Sequence, residues 1–174
     1  MQTFCIIASG QSLKDEDVAY VKAAREQGKC RVIAISNVGI DKAPWADYLV
    51  SSDTAWWMNH PEALLFEGIK VSRHRYRNTT SFSPSVVNGC NSGLMAMEVA
   101  NKWGDASRIL LLGFDMHGTH YFGKHSGTLK NTTQQRFRIH IAQFKRWNGC
   151  EVINCTENSA LKKFPFSKLQ DVLL

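Results

Sequence analysis

ILLLGFDMHGTHYFGKHSG, residues 109–127, changes character after its fourth residue. Ile109 to Leu112 form a short unbroken apolar run, the pattern of a strand buried on both faces. Close behind come Asp115, His117, His120, Tyr121, Lys124, His125 and Ser126, interleaved with Gly113, Gly118, Gly123 and Gly127. A buried strand opening into a glycine-rich loop of titratable groups is what an open α/β sheet carries at its ligand site, outside the carboxyl ends of its strands. The rest of the chain reads as the scaffold of this loop.

On the N-terminal side the same grammar repeats. Thr3–Ala8 (TFCIIA) is an apolar strand that stops at Ser9-Gly10. Ser12 is the expected N-cap of a following helix, with Asp15 as its capping-box partner. Val18, Val21 and Ala24 recur at helical spacing, and Gly28 suits the left-handed position after the helix. Arg31–Ser36 (RVIAIS) is a second strand, ending at Asn37. Strand, helix and strand in about thirty residues make a βαβ unit, which implies parallel pairing. Tyr48–Ser51 and Ile69–Ser72 read as further strands, with a short helix over Thr54–His60 stopped by Pro61. Arg73–Ser85 has no apolar period and reads as a loop. NGCNSG at 88–93 is a turn into a helix over Gly93–Trp103.

Beyond the central loop, Thr132 or Thr133 caps a helix reaching Trp147, with Phe137, Ile141 and Phe144 as its buried stripe. Cys150–Asn154 is a strand with an exit loop over Cys155–Ser159, and Phe166–Leu173 a closing helix. The alternation specifies an α/β fold: a mostly parallel sheet covered by helices on both faces, in one domain over residues 1–174. Polar residues gather where strands end, which predicts a single polar cleft along one sheet edge.

Composition narrows the class. An apolar share of 44% with 21% charged residues is that of an ordinary globular chain, and no stretch is long and apolar enough to span a membrane. Phe4–Ala8 lacks the basic flank and length of a signal peptide. Five cysteines cannot all pair and show no zinc spacing, so a reducing cytoplasm is the expected compartment. The net charge of +6 favours an anionic partner such as a nucleotide, a phosphorylated glycan or nucleic acid.

Individual motifs each carry two readings. Ser9-Gly10-Gln11-Ser12 and Asn91-Ser92-Gly93 can offer N–H groups to a phosphate at a helix start, or be plain turns. Asn37 can bond a base or sugar, or make an Asx-turn. His117, His120 and His125 with Asp115 can be written as a metal site, but a single histidine acting as general base needs less. His140, on the Phe137–Phe144 stripe, reads as a packed core histidine. The Trp56-Trp57 pair reads as core or as a subunit contact in a homo-oligomer. Arg73, Arg75 and Arg77 are candidates to grip an anionic acceptor, against the alternative of a solvated loop.

Taken in order, strand–SGQSL–helix, AISN, NSG opening a helix, GFDMH, YFGKHSG and the late CTENSAL resemble the small bacterial sialyltransferases that decorate lipooligosaccharides. They also resemble the wider superfamily of hydroxymethylpterin pyrophosphokinase-like proteins and, most closely, short proteins of phages and prophages. The resemblance implies a Rossmann-like fold, a nucleotide-sugar donor with CMP as the linked nucleotide, and no metal or other cofactor. It implies that Ser9, Gly10, Gln11, Ser12, Asn37, Asn91, Ser92, Gly93, Asp115, Asn158 and Ser159 hold the nucleotide, and that His125 is the general base. The family has a tyrosine where this chain has His117, so His117 or Tyr121 would stabilise the departing phosphate. Lys124 is an extra residue before His125, and the chain is shorter than those enzymes, with their lid over the donor sugar reduced or missing. The expected activity is inverting transfer of a sugar to an acceptor hydroxyl. The rivals are a pyrophosphokinase using ATP and Mg²⁺ and a non-catalytic nucleotide-sequestering protein. His120 is read as a solvated loop residue.

Overall fold

The computed structural model describes residues 2–86 and 89–174. Asn88, which opens the expected 88–93 turn, lies outside them. The strands are β1 (Gln2–Ile7), β2 (Arg31–Ile35), β3 (Tyr48–Ser51), β4 (Ile69–Ser72), β5 (Thr80–Ser81), β6 (Ala106–Leu112) and β7 (Glu151–Asn154). They form one seven-stranded sheet in the order β5-β4-β3-β2-β1-β6-β7. Every pairing within it is parallel. The fold is therefore α/β and Rossmann-like, with a sheet wholly rather than mostly parallel.

The helices are α1 (Asp15–Glu26), α2 (Val38–Asp41), α3 (Thr54–Asn59), α4 (Ser92–Trp103), α5 (Gln134–Phe144) and α6 (Leu169–Val172). Side chains alternate across a strand, so each strand feeds two cores. Phe4, Ile6, Ile33, Val50, Ile109 and Leu111 face one layer, where Leu94, Met97 and Ala100 of α4 and Phe144 of α5 cover them. Cys5, Ile7, Val32, Ala34, Leu49 and Leu110 face the other, under Val18 and Val21 of α1, Trp56 and Trp57 of α3, and Leu169 of α6. The tryptophan pair is thus core: Trp57 is fully buried and Trp56 nearly so.

Several local expectations are corrected. Ser12 does not cap α1; its N-cap is Lys14, without a side-chain bond. Ser12 is drawn instead to Asp115, across the sheet edge. The Arg73–Ser85 segment contains β5, whose two polar residues have no pattern to betray them. α5 ends at Phe144 rather than Trp147. Of its stripe only Phe144 is fully buried, while Phe137 and Ile141 are half-covered. The closing helix shrinks to α6, because Phe166 leaves the helix to bridge Asn154 beside β7.

The topology has one switch point. From β1 the chain builds outward through β2, β3, β4 and β5, and then returns to place β6 on the other side of β1. The β1 and β6 connections therefore diverge, and a crevice opens between their carboxyl ends.

Candidate functional site

The floor of that crevice is made by the two strand exits. Ala8 N donates to Leu112 O at 2.8 Å, and Gly10 N to Gly113 O at 2.9 Å. The approach is close enough to exclude side chains. A Cβ on Gly10 would lie 2.3 Å from Gly113 O and 2.8 Å from Asp115 Cγ, and one on Gly113 would lie 2.2 Å from Ala8 O. Gly113 also adopts a left-handed backbone, φ 69°. Both glycines are required by geometry, not merely tolerated.

Asp115 is buried, 4% exposed, and lines the crevice. Its carboxylate accepts from Ser12 N at 2.9 Å and from the Ser12 hydroxyl. Its carbonyl accepts from Ala160 N at 2.8 Å. The neighbouring turn is pinned by buried hydroxyls: Thr156 Oγ1 accepts from Phe114 N at 2.9 Å, and Ser159 Oγ donates to Phe114 O at 2.5 Å. Ser159 thus supports the site from beneath, and Asn158 meets the loop through its carbonyl, which accepts from His117 Nε2 at 3.1 Å.

Two adjoining cavities that share Gly113 lie along the expected polar edge. One, of about 140 Å³, is walled by Ser9, Gly10, Asp115, His117, His120 and Lys124 among others. The other, of about 300 Å³, lies towards α1 and β7 and is walled by Ser12, Lys14, Glu16, Asp17, Thr156 and Lys168 among others. Asp15, Glu16 and Asp17 occupy the first turn of α1. They already answer the positive end of its dipole and repel a phosphate there. The smaller cavity has the denser chemistry.

The loop after β6 folds back over the sheet edge and distributes its side chains unequally. His120 bridges Gly10 through the backbone and sets Nδ1 2.7 Å from Ser9 Oγ. Its ring stacks on Phe122, centroids 4.7 Å apart and 6° from parallel. His120 is half-buried and lines the cavity, so its reading as a solvated loop residue is overturned. Burial, then the neighbouring His125, hold its pKa below the usual histidine value, opposed by the Ser9 backbone. His125 stands edge-on to His120 at 4.8 Å. Its backbone is tied to Asn131. Burial and then His60 lower its pKa, while Asp53 acts the other way. Among the described residues, the cavity wall takes His117, His120 and Lys124 from this loop, but not Tyr121 or His125.

Tyr121 turns to the opposite layer. Its hydroxyl donates to Asp41 Oδ2 at 3.0 Å, and Lys42 Nζ sits 5.0 Å from its ring centre. Burial and then Asp41 push its pKa up, so the phenol stays neutral. It anchors the loop to α2, as Thr128 anchors it to Asn59 at the end of α3.

Other sequence candidates serve the frame. Asn37 Oδ1 accepts from Trp56 Nε1 at 2.9 Å, so its carbonyl end is spoken for. Asn91 caps α4 by accepting from Leu94 N at 2.8 Å and donates to Gln143 at 2.8 Å. Ser92 Oγ accepts from Ser52 N at 3.0 Å. Gly93 lies against Phe114, leaving no room for a Cβ. Gln11 is exposed, its side chain over Gly118. Arg73, Arg75 and Arg77 follow β4, three strand spacings or about 14 Å from β1 along the same edge. His140 is half-buried on α5, and burial lowers its pKa to about 4, as suits a packed histidine.

All five cysteines are free. Among the described residues no cluster of three or more His, Cys, Asp or Glu side chains is arranged to hold a metal ion, and no helix is long and apolar enough to cross a membrane. Comparison with family models, with curated proteins and with solved structures finds no match to this chain.

Proposed function

We propose that this chain is a glycosyltransferase-like protein that binds a nucleotide-linked sugar at the β1/β6 switch point and passes the sugar to an acceptor hydroxyl. The observation that carries the reading is the cavity itself. It lies where open parallel sheets bind nucleotides, and its wall combines Ser9, a buried Asp115, two imidazoles and Lys124. Asp115 keeps lone pairs beyond those used by Ser12, which suits it to accept from ribose or sugar hydroxyls rather than to face phosphate. Lys124 and His117 supply cationic and donor groups for the phosphate that leaves. An imidazole of the loop takes the acceptor proton, the role that the resemblance to sialyltransferases gives to His125. The same resemblance points to a cytidine nucleotide as carrier and to a phage setting, while the net charge of +6 favours an anionic acceptor such as a phosphorylated glycan or nucleic acid.

The decisive experiment is calorimetric titration with CMP, ADP, UDP and GDP, together with mass spectrometry of any nucleotide that copurifies. Saturable binding of one nucleotide, weakened at least about 10-fold in Asp115→Asn, is expected from loss of one charge-assisted hydrogen bond. If none of the four binds and none copurifies, the reading fails.

A further inference from the structure

We propose that His120, held by Ser9, is the catalytic base of this site, with His125 standing behind it. The inference rests on the transfer reaction proposed above and reassigns its central residue. Three observations carry it. His120 lines the cavity, whereas His125 is not among its lining residues. The His120 ring is fixed on two sides, by the Ser9 hydroxyl 2.7 Å from Nδ1 and by the Phe122 face stacked on it. Among the described residues no protein group hydrogen-bonds Nε2, so that nitrogen is left for a ligand.

A histidine base works when one nitrogen is held and the other is bare. The held N–H fixes the tautomer, and the bare lone pair receives the proton. Here Nδ1–H donates to Ser9 Oγ, which leaves the Nε2 lone pair directed at a substrate hydroxyl. Ser9 takes the orienting place without adding a negative charge. It is a positioning residue, not a catalytic one.

The step balances as follows. The acceptor O–H gives its proton to His120 Nε2 while its oxygen forms a bond to the anomeric carbon. The bond from that carbon to the nucleotide phosphate oxygen breaks, and its electron pair leaves with the phosphate. The imidazolium then returns its proton to solvent. Lys124, His117 and Asp115 line the same cavity, and His125 lies against the ring, so these are the charged or titratable groups that tune it. His125, tied to Asn131 and facing His60 and Asp53, is the neighbour that disfavours a second positive charge.

Two measurements test this. The first needs no substrate: ¹⁵N NMR of the imidazoles in the intact chain. At pH 7.5 His120 is expected as the neutral Nδ1–H tautomer, and Ser9→Ala is expected to shift the ring towards the Nε2–H form, with Ser9→Thr restoring it. An Nε2–H tautomer in the native chain overturns the proposal. The second is transfer kinetics with the nucleotide sugar found to bind. His120→Gln is expected to lower kcat by about 100-fold or more with the donor KM little changed, as loss of a general base does. His125→Gln is expected to lower it less than about 10-fold. Ser9→Ala is expected to move the acidic limb of the kcat–pH profile, and Ser9→Thr to return it. If native turnover is present and His125→Gln is the more damaging change, the assignment to His120 fails while the transferase reading stands. If the native chain turns over no donor that it binds, the transferase reading fails and the catalytic role falls with it.

Discussion

At the residue scale the site depends on two side chains being absent. Gly10 and Gly113 let β1 and β6 approach until Gly10 N reaches Gly113 O at 2.9 Å. That contact lies directly beside Asp115 and the Ser9–His120 pair, so the spacing of the exits sets the spacing of the chemistry. An alanine at 113 would meet two penalties: a Cβ 2.2 Å from the Ala8 carbonyl and a left-handed backbone at φ 69°. Overpacking costs about 1–3 kcal/mol and the left-handed conformation about 1–2 kcal/mol. Gly113→Ala is therefore expected to lose about 3 kcal/mol in urea denaturation. A half-buried glycine with nothing within 4 Å of its Cβ, Gly123, meets only the backbone term, φ 87°. Gly123→Ala should cost about 1–2 kcal/mol. Equal losses at the two positions would show that the exits can part without strain. The glycines were visible in the sequence as loop markers. What each one permits was not, because the clash is with backbone about a hundred residues away.

At the element scale, local patterns were legible and long-range partners were not. β3 and β4 follow their apolar runs to the residue, Tyr48–Ser51 and Ile69–Ser72. Thr133 caps α5 as its position before the helix implies. Ser12 has the same hydroxyl chemistry, yet α1 starts three residues after it, behind a Lys14 N-cap, and its hydroxyl is spent on Asp115. That partner is supplied by the fold and not by the local sequence. His120 was hidden for the same reason, since its company is Ser9, from the loop after β1. Asn91 shows the converse. Read as a nucleotide contact, it is buried at the start of α4 with both ends of its amide engaged, by Leu94 N and by Gln143 of α5. The expected consequence is structural. Asn91→Ala removes a cap and strands Gln143, worth about 2–3 kcal/mol together. Asn91→Asp keeps the cap and recovers part of that loss in thermal unfolding. Nucleotide affinity measured well below the melting transition should be unchanged in Asn91→Asp. A 10-fold loss of affinity in that variant would return Asn91 to the binding site.

At the scale of the whole molecule, the sheet is two unequal parts joined along β1 and β6. Five strands lie on one side of the switch point, counting β1, and two on the other. Both cavities straddle this seam, and the loop after β6 crosses it to fasten on α2 through Tyr121 and on α3 through Thr128. A ligand between the exits would touch groups contributed by both parts, so its binding energy opposes their separation. It stabilises the native state by RT ln(1 + [L]/Kd), about 2.7 kcal/mol at a hundred times Kd. The fold also predicts where that stabilisation is seen. Amides of residues 9–12 and 113–125 form the walls and the strap, whereas β4 and β5 lie at the far edge. Hydrogen exchange with saturating nucleotide should therefore slow at 9–12 and 113–125 and stay unchanged at 69–81. The net charge of +6 adds a kinetic signature, since an anionic ligand is drawn in faster when screening is weak. Raising ionic strength should slow association more than it speeds dissociation. Protection concentrated at 69–81 instead would move the binding surface to the arginines after β4 and away from the seam.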